Sequence, residues 1–205
     1  MKTQNILAVS PDAVESALEI LSAGGLVAFP TDTVYGIGAL AFDQSAVQSI
    51  YAAKDRSGEK AIPVLLGDAA DLDKVALSLP DMARRLANHF WPGPLTLIVL
   101  KQPDLPAAVS PTETVGVRVP DHPVARALLR AAGPLAVTSA NLSGQPSPCT
   151  AAEVFQQLQG RINLIIDGGS TPGGVPSTVL DCTKPEPVVL RMGPVKLQAI
   201  RAALY

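Results

Sequence analysis

The order of patterns along the chain predicts an α/β fold whose sheet is mixed, parallel and antiparallel, and flanked by helices. Three observations carry this expectation. Helical and strand signals alternate from end to end, which is the mark of α/β chains. Three short apolar runs, NLIIDGG, STVLDC and PVVLRMG, crowd residues 163–193, and strands that close together favour some antiparallel pairing. Nineteen prolines and sixteen glycines punctuate the loops, yet none of these loops is long enough to divide the chain, so one domain over 1–205 is expected.

Each element has its own justification. Ser10-Pro11 reads as an N-cap with proline at the first helical position, followed by Val14, Ala17, Leu18 and Leu21 at one-face spacing and by Gly24 as a stop. LVAFP, ending at Pro30, is a strand. Thr31-Asp32-Thr33, Tyr35 and two glycines then read as the loop that ends it. Asp43 caps a helix with Ala46, Val47, Ile50 and Tyr51 on its apolar face and Lys54 and Arg56 at its end. IPVLLG is a strand, 69–78 and 81–90 are helical, and Trp91-Pro92-Gly93-Pro94 stops the second of these. LTLIVLK and VGVRVP are strands, 122–132 a helix, and LAVTSAN a strand that again ends in hydroxyls. Thr150 and Glu153 have capping-box spacing before a helix at 151–159, and VKLQAIRAAL closes as an amphipathic helix.

Composition narrows the functional classes. The chain is 47% hydrophobic and 17% charged, with a net charge of −2. That balance speaks against a protein whose main work is wrapping nucleic acid. Cys149 and Cys182 sit in no CxxC pair and, with only His89 and His122, make no zinc ligand set; the reduced form is expected. The N-terminus lacks a signal-peptide apolar segment and no window approaches a membrane span, so a soluble, cytoplasmic protein is expected.

The chemistry gathers at strand ends. Thr31-Asp32-Thr33, Thr138-Ser139-Ala140-Asn141 and Gly168-Gly169-Ser170 each follow an apolar run, and strand ends of open α/β sheets are where ligands bind. Taken singly, such loops are ordinary turn chemistry. Arg118 and Arg191 lie inside apolar strands, where a guanidinium needs an anionic partner, either a protein carboxylate or a ligand. Lys54 and Arg56 are equally consistent with a helix C-terminus that favours cations. There is no P-loop, no complete GxGxxG and no GxSxG, and no histidine is paired with an acid or a nucleophile. An enzyme built from these parts works by positioning and charge neutralisation, which suits reactions at phosphoryl groups.

Seven blocks in order, PTDTVYGIGA, AKDRSGEKAIPVLL, WPGPLTLIV, GVRVPDHP, TSANLSGQPSP, PSTVLD and LRMG, resemble the YrdC-like family of threonylcarbamoyl-AMP synthases over residues 14–200. The resemblance implies a twisted mixed sheet over a concave, electropositive cavity. It implies formation of threonylcarbamoyl-adenylate and pyrophosphate from L-threonine, bicarbonate and ATP, with Mg²⁺ travelling on the ATP. The product would serve N6-threonylcarbamoylation of adenosine 37 in tRNAs that read ANN codons. Partners implied are tRNA and downstream threonylcarbamoyl-transfer proteins, with no membrane.

The resemblance also assigns residues. Lys54, Arg56, Ser139 and Asn141 would form the catalytic centre. Thr33, Arg118, Ser139 and Ser177 would hold threonine, with Arg118 on its carboxylate and Tyr35 as a wall. Arg56, Lys60, Thr114, Asn141, Cys149 and Arg191 would contact ATP, with Lys54 also neutralising phosphate and Cys149 acting through its backbone. No metal site is implied. Where relatives read Arg-Pro-x-x-Lys-Pro-Leu, this chain has Arg56-Ser57-Gly58-Glu59-Lys60-Ala61-Ile62, so a more mobile loop is expected. One alternative is a non-catalytic RNA-binding or ribosome-assembly protein, against which the net charge and scarce aromatics weigh. Another is carbamoyl transfer, as in the YrdC-like modules of longer hydrogenase-maturation proteins.

Overall fold

The structure, a computed structural model, describes residues 2–58 and 60–204. The chain begins with β1 (Gln4–Leu7), α1 (Ala13–Ser22), β2 (Val27–Pro30), β3 (Tyr35–Leu40) and α2 (Gln44–Lys54). It continues with β4 (Val64–Leu65), a short 3-10 helix (Ala69–Lys74), β5 (Ala76–Ser78), α3 (Asp81–Phe90), β6 (Leu95–Lys101) and β7 (Thr114–Arg118). α4 (Pro123–Ala132), β8 (Leu135–Ser139), α5 (Ala151–Leu158), β9 (Leu164–Asp167), β10 (Thr178–Asp181), β11 (Val188–Arg191) and α6 (Leu197–Leu204) complete it.

Among the described residues, eleven strands form one sheet in the order β1-β9-β2-β3-β8-β4-β7-β6-β10-β11, with β5 beside β6. β9 runs parallel to β1 and β2, β4 to β7, and β6 to β10. The remaining pairs are antiparallel. The expected mixed α/β sheet is therefore present, and no described helix is long and apolar enough to cross a membrane. The capping box of Thr150 and Glu153 is formed, and Asp43 caps α2 by accepting from the amides of Ser45 and Ala46.

Alternation along the strands sends side chains into two apolar layers, because successive residues of a strand point to opposite faces. Ala28, Tyr35, Ile37, Ala136 and Ile165 belong to one layer, covered by α2, α3, α5 and α6. Val27, Phe29, Leu135, Val137, Leu164 and Ile166 belong to the other, covered by Ala17 and Leu21 of α1 and by Ala125, Leu128 and Leu129 of α4. Each fully buried side chain such as Phe29 or Ile37 contributes about 2 kcal/mol. α1 and α4 are too few to cover their whole face. Beyond them the sheet floor of β3, β8, β4, β7, β6 and β10 stays open on that side, and this opening becomes the cavity.

Several expectations are corrected. α1 starts at Ala13 with Asp12 at its N-cap and no side-chain cap bond; Ser10 and Pro11 lie in the preceding turn. The run 69–78 is one 3-10 helix and then the strand β5, whose Ala76 pairs with Lys101. Residues 35–40 are the central strand β3, not a loop. Its glycines are a packing requirement, since a Cβ on Gly36 would stand 2.7 Å from Val137 Cγ1. β1 had no counterpart among the expected elements. β9 and β10 are near in sequence but lie towards opposite ends of the sheet. Both cysteines are free thiols.

Candidate active site

A cavity of about 330 Å³ opens on the uncovered face, in the size range of small-ligand sites. Its floor is Gly36 of β3, Val137 and Ser139 of β8, Leu65 of β4, Gly116 and Arg118 of β7, Thr96 and Ile98 of β6, and Val179 of β10. Gly116 keeps the floor deep, because a Cβ there would meet Ile98 Cδ1 and Thr96 Cγ2, each at 3.2 Å. The rim brings in Thr31, Thr33, Arg56, Ala61, Ser177 and Arg191. Among the described lining residues three are arginines and none is a carboxylate.

The three guanidiniums are held differently. Arg118 is 5% exposed. It pairs with Asp32, donates to Gly93 O at 2.9 Å and donates to Thr33 Oγ1 at 3.2 Å. Arg191 has no carboxylate partner among the described residues; it donates through Nε and Nη2 to Ser177 O at 3.0 and 2.8 Å, and through Nη2 to Ser177 Oγ at 3.1 Å. Among the described residues Arg56 donates to the carbonyls of Lys60 and Ala61. Burial lowers the pKa of all three; for Arg118 the charge of Asp32 opposes that effect. Charge held in a dry site without an anion is poised to accept one.

Lys54 does not line the cavity, contrary to its expected place on a phosphate. It is 1% exposed and its ammonium donates to the carbonyls of Ser139 and Asn141, while its own carbonyl accepts from Ser143 N at 2.8 Å. Burial, aided by the charge of Arg56, lowers its pKa to about 7. A neutral amine has two protons for those two carbonyls, and the third proton of an ammonium has no partner among the described residues. The turn after it explains the arrangement. Asp55 adopts a left-handed conformation at φ 50°, which ends α2 and lets Arg56 swing to the cavity.

Of the other expected residues, Thr33, Arg56, Arg118, Ser139, Ser177 and Arg191 meet around the cavity. Asn141 is buried beside it, donating to Leu142 O and Gln145 O, with its own Oδ1 left without a partner among the described residues. Arg56 Nε is a second such buried atom. Thr114 lies two residues from Gly116 on the same face of β7 but outside the lining, with its hydroxyl on Thr112 at 3.1 Å. Lys60 is exposed and adjoins the lining residue Ala61, and Cys149 is held by Glu153 and Thr171 away from the lining. Tyr35 is no wall: it is fully buried in the opposite layer, and its hydroxyl donates to Gly169 O at 2.7 Å. Thr96 and Gly116 were not among the expected site residues. Their signal was a hydroxyl and a glycine at inward positions of apolar strands.

A family model described as telomere recombination, covering Sua5, YciO and YrdC, matches residues 19–193. The chain belongs to the Sua5/YciO/YrdC family. Within this family it is 44% identical to the threonylcarbamoyl-AMP synthase of Bacillus subtilis over 97% of its length, and spans 58% of that relative. It is 43% identical to a putative threonylcarbamoyl-AMP synthase of Mycobacterium tuberculosis, covering 93% of this chain and 88% of that one. The crystal structure of Pyrococcus abyssi Sua5 complexed with L-threonine superposes with a TM-score of 0.94 at 39% identity, over 100% of this chain and 61% of that one. The chain thus spans about three fifths of its longer Sua5 relatives, and its YrdC-like fold is theirs.

Proposed function

We propose that the chain is an L-threonylcarbamoyladenylate synthase, converting L-threonine, bicarbonate and ATP to threonylcarbamoyl-AMP and pyrophosphate. The observation that carries the reading is a cavity lined by three guanidiniums and several hydroxyls, with no carboxylate and no nucleophile set beside a base among the described lining residues. The threonine amine adds to CO₂ derived from bicarbonate and loses a proton, leaving a carbamate. A carbamate oxygen attacks the α-phosphorus of ATP, the bond to the β-phosphate oxygen breaks, and pyrophosphate leaves. Negative charge accumulates on the carbamate and on the leaving group, and fixed cations stabilise it without covalent help.

Arg118, Thr33 and Ser177 would take the amino acid, since Arg118 already carries a counterion and suits a small carboxylate. Arg56 and Arg191, which have no counterion among the described residues, would take the phosphates. Ser139 would orient the carbamate. Lys54 and Asn141 would serve by holding the 139–145 turn. Lys60, Thr114 and Cys149 would meet only those parts of the nucleotide that extend past the lining. Mg²⁺ would arrive on the ATP phosphates. Three guanidiniums among the described lining residues support an electropositive cavity, and one sheet running through the chain supports reading 1–205 as a single domain. The adenylate would be consumed by threonylcarbamoyl transfer to adenosine 37 of tRNA, with partner proteins, in the cytoplasm.

The test is pyrophosphate release with bicarbonate and ATP, comparing L-threonine, L-serine and no amino acid, with the adenylate trapped by mass spectrometry. Threonine-dependent pyrophosphate together with that adenylate is expected. Turnover indifferent to threonine would refute the assignment.

A further inference from the structure

Thr96 of β6 meets Ser177, the residue just before the parallel strand β10, and both residues line the cavity. Their oxygens are 2.8 Å apart, and each residue is about nineteen-twentieths buried, with Thr96 at 4% and Ser177 at 5% exposure. The Thr96 hydroxyl has no other hydrogen-bond partner among the described residues. Ser177 Oγ also accepts from the Arg191 guanidinium at 3.1 Å.

The opposite wall shows how such a pair can be polarised the other way. Thr31 donates to Val34 O at 2.7 Å, so its oxygen must accept from Thr33, 3.0 Å away. Thr33 also accepts from Arg118. The proton of Thr33 is therefore spent inward, and only a lone pair is left for a ligand.

At Ser177 the chemistry runs in reverse. A hydroxyl that accepts from a cation becomes a stronger donor, and the stronger donor belongs on the stronger acceptor, which in this cavity is an anionic ligand oxygen. If Ser177 instead donated to Thr96, the proton of Thr96 would be left without a protein acceptor in a nearly dry position. We propose that Thr96 is a positioning residue: it donates to Ser177 and thereby turns the Ser177 proton into the cavity, onto an anionic oxygen of the bound amino acid. The inference rests on the reading that the cavity binds threonine. The two walls then differ in polarity, with Thr33 receiving a ligand donor and Ser177 supplying one.

Thr96→Val removes the hydroxyl while keeping the shape, and Thr96→Ser keeps the hydroxyl. Pyrophosphate release and calorimetric binding of L-threonine are measured on the unsubstituted protein and both variants, with thermal melts as a folding control. Thr96→Val should raise the KM and Kd for threonine about fivefold, the worth of one neutral hydrogen bond, and leave kcat and the KM for ATP nearly unchanged. Thr96→Ser should recover most of that loss. A Thr96→Val variant with the original threonine KM would overturn the proposal, as would a folded Thr96→Ser variant no better than Thr96→Val. Failure of the unsubstituted protein both to bind threonine and to turn over would overturn the functional reading, and the positioning role with it.

Discussion

At the scale of single residues, Arg118 and Lys54 show how differently two buried cations are stabilised. Arg118 has Asp32, whose side chain is 12% exposed against 6% for the arginine. Removing one partner of such a pair leaves a charge buried without compensation. Asp32→Asn should therefore cost about 3 kcal/mol in urea unfolding, and a loss no larger than that of an exposed pair would refute the buried-pair account. Among the described residues Lys54 has only carbonyls as partners. Its folded pKa of about 7 lies below the ordinary 10.5, so between those values the unfolded chain binds a proton that the folded chain does not. Stability from this group therefore rises as pH climbs from about 7 towards 10.5, and below 7 the cost of the buried charge is present in full. Unfolding at pH 6 and pH 9 should show the protein gaining stability relative to Lys54→Met; a difference that stays flat or shrinks refutes this. That Arg118 needed an anion was legible in VGVRV. That the anion is Asp32 was not, because the pairing crosses from β7 to the loop after β2.

Among elements, α2 does most to build the site. Its start is written in the sequence, with Asp43 capping and Val47 and Ile50 facing the core. Its end is tertiary in origin: the left-handed Asp55 sends Arg56 to the cavity and leaves Lys54 inside, and Asp55 Oδ2 also holds Arg161 at 2.8 Å. The following loop, 56–62, carries no proline. Its described part is held by Tyr51, whose single hydroxyl proton is shared between Ala108 O at 2.9 Å and Lys60 O at 3.1 Å, and by Arg56 on Lys60 O and Ala61 O. Glu59 lies outside the described residues. Tyr51→Phe should lower stability by about 1 kcal/mol and weaken ATP more than threonine; equal binding of both substrates before and after would count against this role for the loop. β3 escaped notice for a related reason. Glycines at 36 and 38 read as loop punctuation, while their actual cause, Val137 pressed against the strand, is invisible until β8 is paired.

For the whole molecule, the cavity exists because one face of the sheet is covered and the other only in part. Helices α2, α3, α5 and α6 share the first face, whereas α1 and α4 cover one half of the second. Three guanidiniums collect over the bare half. Inorganic pyrophosphate should accordingly raise the melting temperature, approaching about 2.7 kcal/mol at a hundredfold excess over its Kd. The gain should shrink with added salt and be smallest in Arg191→Gln; melting curves indifferent to pyrophosphate at low salt would contradict the charge distribution described here. The sequence by itself determined the fold class, most helices and the family, because periodicity, caps and seven ordered motifs are local signals that survive without coordinates. It also named six of the residues that meet around the cavity. Only the tertiary structure decided which cations face the cavity and which are spent on the protein, where β3 runs, and which hydroxyl backs Ser177. Those outcomes depend on strand pairing and burial between residues far apart in the chain, and no local pattern encodes the partner that a buried charge or hydroxyl will find.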